Sequence, residues 1–158
     1  MRKIKWTAFV LAIALVVTVL AADTFAAGTS SIAFSKISVM KETQRVVVTI
    51  SWTDDTAGTT ASIVPASYGI EGWYLYSAET NPGSGPPTSN YDITLIDADG
   101  VDIAGGTLLN RHTTTTELVN VGTATHGYPV IRGTITFTLS GNSQAGATGT
   151  CVLTFVAN

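Results

Sequence analysis

Three aspartates stand at short intervals around a glycine in the run Asp97-Ala98-Asp99-Gly100-Val101-Asp102. Carboxylate oxygens converging in this way are what a calcium ion takes as ligands, so Asp97, Asp99 and Asp102 are the candidate metal ligands of the chain. The pattern reproduces only the opening of an EF-hand loop. Its twelfth position, where a bidentate Glu would close the coordination shell, is Leu108. An Asp-Gly hairpin turn accounts for the same residues, because both types tolerate positive φ.

Other chemistry-bearing residues assemble less well. His112 and His126 are the two histidines of the chain, fourteen residues apart, and no second cluster of Cys or His completes the three or four ligands that zinc takes. Ser, His and Asp all occur, yet no Gly-x-Ser-x-Gly elbow or comparable signature nominates a triad. Asp54-Asp55 with Glu71 has the composition of an acid–base pair on a sheet face, but adjacent acids in a turn read more simply as solvated strand ends. The aromatic run at Trp73, Tyr74 and Tyr76 is the stronger binding candidate, since Trp and Tyr on a sheet face stack on sugars or anchor a protein partner. The chain therefore reads as non-enzymatic, with no cofactor apart from the calcium option.

The elements that must position these residues have a period of two. Arg45 to Thr53, RVVVTISWT, puts Val46, Val48, Ile50 and Trp52 on one face. Ser31 to Val39 alternates more loosely. Ala61 to Pro65 is weak, and strand character resumes over Tyr68 to Ala78. Asn81 to Asn90 holds three prolines and two glycines and is a loop, because such residues continue neither a helix nor a central ladder. Tyr91 to Ile96 is the next strand, Asp99-Gly100 its turn, and Val101 to Ile103 a short return strand. Thr107 to Asn120 shows no clear period. Ile131 to Ser140 alternates Ile135, Phe137 and Leu139 with Thr134, Thr136 and Thr138, and Thr150 to Val156 returns after a Gly-rich loop. In this last strand Cys151, Leu153 and Phe155 share a face, which makes Cys151 a buried, inert thiol.

About seven strands separated by turn signals predict an all-β fold: a single antiparallel β-sandwich, Greek-key, jelly-roll or Ig-like. The expected organisation is an N-terminal signal helix over 1–26, an extended arm or edge strand over 27–43 and the β-sandwich over 44–158. Arg2, Lys3 and Lys5 precede an apolar run from Thr7 to Ala22, and Thr24-Phe25-Ala26 fits the small-x-small rule of signal peptidase. The run is about sixteen residues, short of the roughly twenty that span a bilayer. A cleaved export signal is the favoured reading; an uncleaved membrane anchor and a start at Met40 are the others. After cleavage Lys36, Lys41, Arg45, Arg111 and Arg132 oppose ten acids, the eleven of the chain less Asp23, for a net charge of −5. An acidic domain without a basic stripe disfavours nucleic acid as a partner.

The run GWYLYSAETNPGSGPPTSNYDITLIDADGVDIAGGTLLNR, with the upstream VVVTISWTDDTAG and the closing PVIRGTITFTLSGNSQAGATGTCVLTFV, resembles small tailed-bacteriophage and prophage virion-associated structural proteins. The resemblance extends from Gln44 to Phe155. It implies a non-catalytic β-domain with protein partners, in a homo-oligomer or as a particle subunit, and carries no catalytic set with it. A virion location and an export signal point to different compartments. Two functional readings follow: a structural or interaction module of a phage-like particle or exported surface assembly, and an exported carbohydrate- or calcium-binding, adhesin-like module.

Overall fold

The computed structural model describes residues 28–38, 44–54, 59–121 and 131–157, and over these the chain is built from strands with one short helix. In chain order they are β1 (Thr29–Ser38), β2 (Gln44–Asp54), β3 (Thr59–Ile63), α1 (Pro65–Tyr68), β4 (Tyr74–Pro82), β5 (Asp92–Ile96), β6 (Glu117–Asn120), β7 (Ile135–Ser140) and β8 (Ala147–Val156). The two-residue period decides which side chains turn inward. Val46, Val48, Ile50 and Trp52 of β2 are buried, as are Ile135, Phe137 and Leu139 of β7.

The strands form two antiparallel sheets, one in the order β1-β2-β8-β4-β6 and the other in the order β3-β7-β5. After β1 and β2 pair, every successive strand joins the opposite sheet. Neither sheet can therefore form from neighbouring segments alone, and the inward residues of both contribute to one hydrophobic cluster. Large apolar side chains between the strands, Ile70, Ile103, Leu108 and Ile131, complete that cluster.

Several elements depart from the sequence expectation. The weak segment from Ala61 to Pro65 overlaps the second half of β3, because Ile63 is fully buried and pairs with Ile135. Tyr68 to Gly72 is the end of α1 and a turn, so the aromatic strand starts only at Tyr74 and runs on to Pro82. The unreadable stretch holds β6, whose four residues pair with β4. Val101 to Ile103 is not a return strand. Asp102 makes a single bridge to Ile96, and the chain from Ile103 to Arg111 follows the free edge of β5 irregularly. Ile103 N–H donates to Leu95 O at 2.8 Å, Ile93 N–H to Leu108 O at 3.0 Å and Arg111 N–H to Tyr91 O at 2.8 Å. Backbone groups are thus satisfied without a regular ladder.

The strands counted in the sequence are about seven; among the described residues there are eight. The signal helix over 1–26, the Met40 start, Asp55 and His126 lie outside the described residues. Within the stretch expected to be an arm or edge strand, β1 pairs with β2 from Thr29 opposite Thr53 to Ser38 opposite Gln44.

Candidate functional site

The acidic turn is held together by its own backbone. Asp97 is buried, and its Oδ1 accepts the amides of Asp99 at 3.0 Å and Val101 at 2.9 Å. Gly100 closes the turn at φ 81°, the left-handed region expected of it. Asp102 points its Oδ1 at the amides of Leu95 and Ala104, each at 3.1 Å, and its Oδ2 at the Gly106 amide at 2.9 Å. Asp99 extends outward to Arg132, with 3.7 Å between the charged groups. The two outer aspartates therefore act as acceptors for the irregular edge, while the middle one makes an exposed ion pair. Among the described residues no group of three or more His, Cys, Asp or Glu is placed to hold a metal ion.

The aromatic candidates separate from one another. Trp73 is partly buried and packs against the core, Tyr74 is half-buried on β4, and Tyr76 is 43% exposed. Pairing of β4 with β8 shifts register between Leu75 and Ser77, so Tyr76 is the extra residue of a β-bulge. That bulge exchanges the faces of β4: Leu75 is inward before it, and Ala78 and Thr80 are inward after it. Trp52, expected inside, lies in the core with its ring centroid 5.9 Å from that of Tyr91. The indole Nε1, the Tyr91 hydroxyl and Thr80 Oγ1 are all buried and, among the described residues, without a hydrogen bond of ordinary geometry. Burial pushes the Tyr91 phenol up to about 12, with the nearby Thr80 hydroxyl pulling the other way, and burial alone pushes the Cys151 thiol up to about 12.

Asp54 corrects the sequence reading most. It is not a solvated strand end but 1% exposed, and both its oxygens are engaged. Thr59 Oγ1 lies 3.1 Å from both Asp54 Oδ1 and the Thr53 carbonyl oxygen, and Asn142 Nδ2 donates to Asp54 Oδ2 at 2.7 Å. Asn142 Oδ1 in turn accepts the amides of Thr88 at 2.9 Å and Gln144 at 3.1 Å. One buried carboxylate thereby ties the end of β2, the start of β3, the Pro-rich loop and the loop after β7. The signal was present in the Thr-Asp-Asp turn and the late Gly-Asn loop, but nothing local shows that positions 54 and 142 meet. Glu71 is exposed and accepts the Gly133 amide at 2.9 Å, and His112 uses Nδ1 to accept the amides of Thr114 and Thr115.

An open depression of about 410 Å³ lies where the ends of β2, β4 and β8 meet. The register sets Ser51, Thr150 and Asn81 in one row and Thr53 opposite Thr148 two positions on, where the Gly83 amide donates to the Thr148 carbonyl, and among the described residues no charged side chain lines it. Among the described residues no helix is long and apolar enough to cross a membrane.

No family model matches the chain, and no curated protein matches it. A chain of the cyanophage Pam1 capsid asymmetric unit is similar in structure, with 10% sequence identity and a TM-score of 0.39, over 84% of this chain and 88% of that one. Likeness of that degree defines neither a family nor an activity.

Proposed function

We propose that the chain is a non-catalytic β-sandwich of jelly-roll order that serves as a protein-contact module in a phage-like particle or an exported surface assembly. Strand order is the observation that carries this reading. With β1 set aside as an added edge strand, β2-β8-β4-β6 and β3-β7-β5 are the two interleaved sheets of a jelly roll, with the Ile103–Arg111 segment in place of the eighth strand. The inward faces of both sheets supply one core, as in sandwiches. The turn aspartates support a structural role as well, because their oxygens receive backbone amides.

Density-gradient fractionation of the producing culture, with mass spectrometry of each fraction, tests the assignment. The chain is expected in a particle or surface-assembly fraction at fixed stoichiometry; recovery only as a free monomer overturns it. The two fractions also separate the virion from the exported location.

The adhesin-like alternative has one observation in its favour. The depression, rimmed among the described residues by the hydroxyls of Ser51, Thr53, Thr148 and Thr150 and the amide of Asn81 and by no charged group, suits a neutral polyhydroxylated ligand. Calorimetry against a glycan panel and against calcium decides it, since saturable heat would favour the binding module and its absence would remove it.

A further inference from the structure

Asp54, Thr59 and Asn142 are all buried, at 1%, 1% and 6% exposure, and they bring a hydroxyl, a carboxylate and a carboxamide together away from water. Thr59 begins β3 opposite Leu139, and Asn142 follows three positions later beyond the end of β7. Asp54 ends β2 opposite Ala147, and its carbonyl accepts the Gly146 amide at 2.8 Å, so the loop is held on both sides of Asn142. The Thr59 hydroxyl lies 3.1 Å from Asp54 Oδ1 and 3.1 Å from the Thr53 carbonyl oxygen, while Asn142 Nδ2 donates to Asp54 Oδ2 at 2.7 Å and to the Gln144 carbonyl at 2.9 Å, so both side chains meet the same carboxylate. The carbonyl oxygen of the same amide lies under two backbone N–H groups and the Thr88 hydroxyl, at 2.9, 3.1 and 3.3 Å. A hydroxyl, a carboxylate, a carboxamide and donors to the amide oxygen, the groups that an acyl-transfer centre uses, are therefore gathered around Asp54 and Asn142.

We propose that this cluster is a self-acylating site that joins Thr59 to Asn142 through an intramolecular ester. Asp54 removes the hydroxyl proton as Thr59 Oγ1 bonds to Asn142 Cγ, and the negative charge that develops on Oδ1 is stabilised by the Thr88 and Gln144 amides. The Cγ–Nδ2 bond then breaks, Asp54 returns the proton to the departing nitrogen, and one molecule of ammonia leaves. No oxidant, metal or cofactor enters the balance, and Asp54 ends as it began. Burial favours the reaction twice, because the fixed geometry replaces a bimolecular encounter and water is kept from the acyl carbon. Gly28 lies directly against the Thr59 hydroxyl, where a side chain would displace it. The product would clamp the entry of β3 to the β7–β8 loop, a covalent staple in a chain whose single cysteine allows no intrachain disulfide. This inference stands independently of the assembly role and of the sugar-binding alternative.

Peptide mapping of the folded, full-length protein by mass spectrometry is the test. The expected result is one branched peptide joining the Thr59 and Asn142 segments, lighter than its two parts by one ammonia, opened by hydroxylamine and unaffected by reductant. Thr59→Val, which keeps the shape and removes the nucleophile, is expected to abolish the link while circular dichroism still reports a folded protein. Two separate, unmodified peptides from the folded wild-type chain overturn the proposal, whatever the variant does. So does an ammonia loss confined to the linear peptide around Asn142 and Ser143, which marks a succinimide instead.

Discussion

Cys151 and Tyr91 make the stability of this protein sensitive to alkali. Burial raises the thiol from 9.0 and the phenol from 10.0 to about 12 each in the folded chain. An unfolded chain gives up these protons first, so above pH 9 it binds fewer protons than the folded chain and stability falls with rising pH. The contribution is whole below pH 9 and is lost progressively as the pH climbs towards 12. Urea unfolding at pH 8 and at pH 10.5 is the measurement; an unchanged midpoint contradicts the burial account. A thiol reagent at pH 8 is likewise expected to label Cys151 only after denaturant is added. Asp102 carries a second residue-scale prediction. Asp102→Ala leaves the amides of Leu95, Ala104 and Gly106 without their acceptor, and is expected to lower stability by about 1–3 kcal/mol in urea unfolding. A loss below the error of the midpoint would mean that water replaces the carboxylate without cost.

At the scale of elements, β8 is the strand on which the larger sheet depends, since it pairs with β2 along one side and β4 along the other. Gly149 lies in that strand under the Trp52 ring. A β-carbon there would stand 2.8 Å from the ring atom Cε2 and 3.0 Å from the Asn81 carbonyl oxygen. Gly149→Ala must push the indole or the backbone aside, and overpacking of this sort costs about 1–3 kcal/mol. A lowered thermal midpoint with retained far-UV circular dichroism is the expected outcome; a neutral result would show that the ring moves freely. In the smaller sheet, Phe137 is fully buried on the central strand β7, and Phe137→Ala is expected to cost about 3–5 kcal/mol by chemical denaturation. The bulge at Tyr76 belongs to this scale too. It lets one strand present Leu75 and then Ala78 inward, where an unbroken period of two would have turned Ala78 towards solvent.

For the molecule as a whole, the alternation of successive strands between the sheets makes independent folding of either sheet implausible on physical grounds. Each sheet is completed only when segments far apart in sequence return to it, and both draw on one apolar cluster. Unfolding is therefore expected to be a single transition in which tryptophan fluorescence and far-UV circular dichroism coincide. Separate midpoints would show that the two sheets hold together less firmly than their common core implies. An ester between Thr59 and Asn142 would act at this scale as well, since it closes a long loop in the unfolded chain and reduces the entropy gained on unfolding.

Where the apolar period was clean, the sequence by itself determined the strand and its inward face. Val46 to Trp52, Ile135 to Leu139 and Cys151 to Phe155 all turn their alternate residues into the core, because side chains on a strand have no other way to separate apolar from polar. Short or interrupted strands were not legible. The register shift at Tyr76 and the irregular edge from Ile103 to Arg111 come from pairing with partners dozens of positions away. Asp97 and Asp102 were visible as carboxylates, but only the folded turn shows them receiving amides. Asp54 looked like a turn acid, and the tertiary structure made it the bond between Thr59 and Asn142, a partner 88 residues along the chain. Local periodicity is a property of consecutive residues and can be read from them; a buried polar contact exists only once the core has brought distant segments together and excluded the water that would otherwise serve each of them.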